Sequence, residues 1–142
     1  MKLRHFLAAA AVFVTACNFF GTSGDPPDGF QGWFHVERPG RATSLAFGSQ
    51  NLAEIRDLGC DQPLNGETVW SQDGDALVLA QWSGSPRFTQ DPSDAGTLDA
   101  VPGMYGAASE LWLPGATCLI CPPGDAGVAV ACSVPAVLDG GI

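Results

Sequence analysis

From Phe30 onward the apolar residues come in short runs broken by Gly, Pro, Asn and Asp, and nowhere do they recur at helical spacing over a long stretch. That punctuation predicts antiparallel β structure. The expected strands cover residues 32–37, 43–47, 52–58, 67–72, 75–82, 87–90, 110–113, 117–121 and 128–134. Asp73-Gly74 is the clearest hairpin signal, because Asp-Gly tolerates the positive φ angles of a tight turn. With those two residues as the loop, Trp70 falls opposite Leu77, Val69 opposite Val78 and Thr68 opposite Leu79. Residues 51–58 carry two signals. Asn51 with Glu54 is a capping pair, and Leu52, Ile55 and Leu58 share a rough helical face. Against that, Gly48-Ser49-Gln50-Asn51 makes a turn after 44–47, and a strand returning through 52–58 extends the meander.

Neither face of the central hairpin is plainly polar. One carries Trp70, Leu77 and Leu79; the other carries Val69, Ala76, Val78, Ala80 and Trp82. The run Val128-Ala129-Val130-Ala131-Cys132 is apolar in both phases too, whereas a half-exposed strand alternates with polar residues. The expected fold class is therefore all-β: a small antiparallel meander over residues 30–142 that closes into a barrel or a two-layer sandwich.

The chain start is built differently. Lys2, Arg4 and His5 form a basic opening, Phe6 to Phe13 an apolar run, and Val14-Thr15-Ala16-Cys17 a small-residue ending. This is the layout of a Sec secretory signal, a helix to be processed and not a fold element. The apolar run is well short of the ~20 residues that span a bilayer. Val14-Thr15-Ala16-Cys17 resembles the lipobox of bacterial lipoprotein precursors. The resemblance implies cleavage before Cys17, a diacylglycerol thioether on its sulfur and an acyl chain such as palmitate on the new amino terminus. Several chains on one residue matter, because a single chain binds membranes only reversibly at ~0.8 kcal/mol per buried methylene. Asn18 follows the cysteine, where an Asp in that family often signals retention at the inner membrane, so outer-membrane placement is implied. Residues 17–29, with Gly21, Thr22, Ser23, Gly24, Pro26 and Pro27, have the composition of a flexible tether. The organisation expected is a signal peptide over 1–16, a lipidated Cys17 and tether over 17–29, and a β domain over 30–142.

Charge narrows the partners. Removing residues 1–16 takes away Lys2 and Arg4, so four arginines face all fifteen acids and the mature net charge is 4 − 15 = −11. Nucleic acid is excluded as a partner, since phosphate recognition needs a positive patch this chain cannot assemble. Electrostatic binding to an anionic bilayer is disfavoured for the same reason. The membrane partnership must run through the lipid on Cys17.

Cys60, Cys118, Cys121 and Cys132 remain, an even count that reads as two disulfides in an exported domain. Three connectivities exist. A hairpin around the turn at 123–127 sets Cys118 opposite Cys132 and leaves Cys60 for Cys121. Redox chemistry at Cys118-Leu119-Ile120-Cys121 is disfavoured because Pro122-Pro123-Gly124 gives a turn where a helix start would lower a thiol pKa. Structural zinc prefers two close-spaced pairs, and no metal site or cofactor is expected. His35 is the only histidine left and lies in a strand. No nucleophile elbow or phosphate-binding glycine loop is present. Asp91, Asp94 and Asp99 lack the ordered spacing and closing Glu of a calcium loop. No catalytic residue is expected.

The function expected is a non-enzymatic, lipid-anchored envelope lipoprotein with a structural or protein-interaction role, with an envelope protein as its partner. The alternative is a β-barrel lipoprotein holding a small apolar ligand among Trp33, Trp70, Trp82 and Trp112, which requires an internal cavity. A carboxylate-based hydrolase is a weaker third.

Overall fold

The computed structural model describes residues 24–61, 63–124 and 126–139. The segment expected to be a signal, Cys17 and the first part of the expected tether lie outside the described residues. Twelve strands follow in order: β1 (Trp33–Arg38), β2 (Arg41–Phe47), β3 (Leu52–Leu58), β4 (Leu64–Val69), β5 (Ser71–Asp73), β6 (Ala76–Val78), β7 (Arg87–Gln90), β8 (Leu98–Val101), β9 (Glu110–Pro114), β10 (Ala116–Cys121), β11 (Val128–Cys132) and β12 (Val137–Asp139).

Nine of these form one antiparallel sheet in the order β4-β3-β2-β1-β9-β8-β7-β6-β5. Its two end strands, β4 and β5, are consecutive in the chain with only Trp70 between them. A single bent segment thus pairs with β3 through its first part and with β6 through its second, and the sheet curls into a nearly closed barrel. The first strand meets the last, β1 against β9. Closure of this kind removes the exposed edges that invite aggregation. At the bend the free backbone groups are satisfied locally: Trp70 N–H donates to Asn51 O at 2.8 Å and Asn51 Nδ2 donates to Trp70 O at 3.1 Å.

Register sets what points inward. Phe34 pairs with Leu45, Leu45 with Ile55 and Phe47 with Ala53 on one side of the barrel. Leu77 pairs with Phe88, Phe88 with Ala100 and Leu98 with Trp112 on the other. Paired residues share a face, so these apolar side chains fill one interior. Residues 52–58 are a strand, as the turn before them suggested.

The central hairpin departs from the expected register. Its partners are Asp73 with Ala76, Gln72 with Leu77 and Ser71 with Val78, so the loop is Gly74-Asp75 and not Asp73-Gly74. Gly74 has φ 63° and occupies the first loop position, the glycine-first form of a two-residue turn. Each expected partner shifts by two residues: Trp70 leaves the ladder and Thr68 pairs with Ala53 of β3. The strand expected over 75–82 ends at Val78, and Trp82 sits in a turn closed by Trp82 N–H to Leu79 O at 3.1 Å.

Residues 24–29, tether by composition, lie against the barrel. Gly24 O accepts from Asn51 N–H at 3.0 Å, and Asp28 O accepts from Gln90 Nε2 at 3.0 Å. Phe30 then plugs this lower end, 2% exposed, edge-on to Phe47 at 6.0 Å.

The last three strands form a separate sheet, β11-β10-β12, with β12 parallel to β10. It covers the outside of β2. Ser44 Oγ accepts from Thr117 N–H at 3.0 Å and lies 3.2 Å from Thr117 Oγ1, while Leu119 packs with Ala42 and Leu58. This explains why β2 is buried in both phases, from Ala42 through Leu45.

Candidate functional site

The barrel interior is occupied by side chains. Phe47 lies edge-on to Trp70 at 6.4 Å and to Phe88 at 5.3 Å, and Phe88 lies edge-on to Trp112 at 6.0 Å. Such edge-to-face contacts suit the ring quadrupoles and leave little free volume. Of the four tryptophans, Trp70 and Trp112 belong to this core, with Trp70 Nε1 donating to Gly48 O at 2.9 Å and Trp112 Nε1 to Glu110 Oε1 at 3.3 Å. Trp82 packs at the upper rim, donating to Met104 O at 3.1 Å and standing edge-on to Tyr105 at 6.3 Å. Trp33 is half-buried at the start of β1. The structure therefore does not bring the four together: Trp70 and Trp112 stand in the core, while Trp82 and Trp33 are only partly buried.

The upper end is closed by charge. Arg38, Arg41, Thr43 and Asp57 meet where β1, β2 and β3 present inward positions at similar height. Asp57 Oδ1 accepts from Arg41 Nε at 2.7 Å and Thr43 Oγ1 at 3.0 Å, and Oδ2 accepts from Arg38 Nη1 at 3.1 Å. Burial opposes ionisation of Asp57, but the hydrogen bonds from Arg41 and Thr43 and the charge of Arg38 outweigh it, holding the carboxyl below its ordinary value. Arg38 also stacks over the Tyr105 ring at 3.9 Å, a cation–π contact. Tyr105 Oη is buried without a partner among the described residues, and burial, with the Asp57 charge adding, pushes its pKa up to about 12. Sequence reading missed this cluster. The one local signal was a charged residue, Asp57, in the inward phase set by Ala53 and Ile55.

The four cysteines among the described residues are all in disulfides. Cys118 is bonded to Cys132 and Cys60 to Cys121. The hairpin register differs from the expected one by two residues, since Cys118 pairs with Val130 and Cys132 with Ala116, so the first bridge runs diagonally between neighbouring strands. The two cysteines of the Cys118–Cys121 pair point to opposite faces of β10 and serve different bridges.

The remaining candidates are spent on structure. Asp91 Oδ1 accepts from Ser93 N–H at 2.9 Å and Ser93 Oγ at 2.8 Å, Asp94 Oδ2 accepts from Thr97 Oγ1 at 3.1 Å, and Asp99 lies in β8. Among the described residues no group of three His, Cys, Asp or Glu side chains is placed to hold a metal ion. His35 Nδ1–H donates to Gly115 O at 2.9 Å, tying β1 to the β9–β10 junction.

One open region lies outside the barrel. A groove of about 590 Å³ runs between β1 and β11, lined by His35 to Pro39 on one side and by Ala129 to Ala131 on the other, with Thr117 between them. The chain matches no protein-family model, no curated protein and no solved structure.

Proposed function

We propose that this chain is a lipid-anchored lipoprotein of the bacterial cell envelope, held in the outer membrane through acylated Cys17, whose β domain acts as a non-enzymatic protein-interaction module. One observation carries the reading of the domain: the interior is packed with its own aromatics, while an outer groove and the free edge of β11 are left uncovered by the described residues. A domain of this kind offers surface and not a chamber.

The geometry supports the anchor's place as well. The described chain begins at Gly24, against Gln50 and Asn51 at the lower end of the barrel, opposite the Arg38–Arg41 turn. Seven steps separate Cys17 from Gly24, a reach of at most ~25 Å at ~3.5 Å per residue. A lipid on Cys17 would keep the Phe30 end toward the bilayer and turn the upper end and the groove away from it, toward an envelope partner.

Membrane fractionation tests this reading. The parent chain is expected in the membrane fraction, resisting high-salt wash and leaving with detergent, because its net charge gives salt nothing to displace. Cys17→Ser should release the domain to the soluble fraction. Retention of Cys17→Ser in membranes, or recovery of the parent in the soluble fraction, would remove the anchor.

A further inference from the structure

The three-stranded sheet ends on β11, whose outer edge pairs with nothing among the described residues. Natural edge strands are guarded by Lys, Pro or a bulge. β11 has none of these: Val128-Ala129-Val130-Ala131-Cys132 is uncharged, pairs regularly with β10 and is largely exposed. No charged residue occurs from Ala126 to Leu138, in a mature chain that carries fifteen acids.

A second free edge lies across the groove. β1 pairs with β9 only at Phe34 with Pro114 and His35 with Leu113. Continuing that register would set Val36 opposite Trp112 and Arg38 opposite Glu110, yet the ladder stops, and backbone pairing with β9 is confined to the lower half of β1. The stretch that loses its partner, Val36 to Arg38, is the stretch that lines the groove beside Ala129 to Ala131.

We propose that this groove takes an extended peptide segment of a partner protein, which adds to the free edge of β11 as a further strand. This rests on the interaction-module reading above and names its site. Backbone hydrogen bonds to β11 would supply affinity, and the side chains that alternate toward the groove would supply selectivity. Ala129 and Ala131 leave room for small apolar side chains there. Glu37, exposed on the groove wall, and a lysine-free domain of net charge −11 call for basic residues beside the apolar core of the peptide. A second copy of this chain fits less well. Antiparallel pairing of two β11 edges about a two-fold axis would set both acidic barrels on the same side of the joined sheet.

The test uses the full mature chain in detergent micelles as bait for a displayed library of random eight-residue peptides. Enriched peptides are expected to alternate small apolar residues and to carry Lys or Arg at the ends. Bound peptide should slow amide exchange of residues 128–132, and N-methylation of alternate peptide bonds should weaken binding by about tenfold or more, the loss of one to two hydrogen bonds. Ala131→Glu, which fills the groove from an exposed position, should abolish binding, while Leu111→Glu, at an exposed apolar site on β9, should not. Glu37→Lys should turn the preference from basic toward acidic flanks. Enrichment indifferent to Ala131→Glu, no enrichment at all, or dimerisation with residues 128–132 protected in the absence of peptide would each overturn the groove assignment. A partner cross-linked to another face in membranes would overturn it as well while leaving the interaction-module reading in place; loss of that reading would show instead as a chain with no cross-linked protein partner.

Discussion

The Cys60–Cys121 bridge ties the end of β3 to the end of β10 across a sequence separation of 61, whereas Cys118–Cys132 closes a separation of only 14. Replacing Cys60 and Cys121 together by Ala frees the longer loop in the unfolded chain. The loop-closure relation gives about 4 kcal/mol for the longer bridge and about 3 kcal/mol for the shorter. In the folded state the covering sheet has other holds on the barrel. The two hydrogen-bonding contacts between Ser44 and Thr117 contribute about 1 kcal/mol each. Burial of Leu119 against Ala42 and Leu58 contributes about 1.5–3 kcal/mol. The sheet should therefore stay docked when the bridge is gone, and the cost should appear in global stability. Urea unfolding followed by tryptophan fluorescence reads this directly, since Trp70 and Trp112 are buried in the barrel and report its opening. The Cys60/Cys121 double variant should lose about 4 kcal/mol with amide protection of residues 116–121 retained, and the Cys118/Cys132 double variant should lose less. A loss below ~1 kcal/mol for the longer bridge, or a larger loss for the shorter one, would refute the loop-entropy account.

Other consequences follow from the interior and its upper closure. Trp112→Ala, at a fully buried position edge-on to Phe88, should cost about 3–5 kcal/mol in the same urea assay. Asp57→Asn removes the carboxylate charge that Arg38 and Arg41 share; a buried pair broken this way costs about 3–5 kcal/mol, and with the arginines 28% and 27% exposed the expected loss is nearer 2 kcal/mol. Because the folded pKa of Asp57 lies below its unfolded value of ~3.9, its contribution is full above that value and disappears as pH falls through the folded pKa. Acid unfolding curves of parent and Asp57→Asn should converge there. The chain has a single tyrosine, so ultraviolet difference titration isolates Tyr105. Its ionisation should centre at about 12, with stability lost as pH rises from the unfolded value of ~10 toward it, and a midpoint near 10 in the folded protein would contradict its burial against Arg38.

Much of the barrel could be read along the chain because strand alternation has a period of two and turn residues break it. β1, β2 and β3 announced themselves this way. β8 did not, being four residues long with Asp99 inside it and the polar stretch of Asp91 to Thr97 before it. β12 was hidden behind Pro135. Closure was illegible for a different reason: the pairing of β1 with β9 joins residues about 80 apart, as in His35 with Gly115, and such contacts leave no local pattern. Two-sided apolarity misled at 128–132, which is largely exposed as β11, whereas the strand buried in both phases is β2, whose Thr43 and Ser44 gave no such signal. The two bridges were within reach of the sequence because a hairpin brings Cys118 near Cys132 even when its register slips by two residues. The Asp57 cluster was not, since it assembles only once three strands share one register.

The central claim, a lipid-anchored chain whose filled domain carries no small ligand, is tested most directly by native and denaturing mass spectrometry of the protein extracted intact from membranes with mild detergent. The account predicts a polypeptide starting at Cys17, lighter by four hydrogens for its two disulfides, heavier by a diacylglycerol and an acyl chain on Cys17, and carrying no stoichiometric small molecule under native conditions. An unacylated Cys17, or an apolar compound bound one to one within the domain, would contradict it.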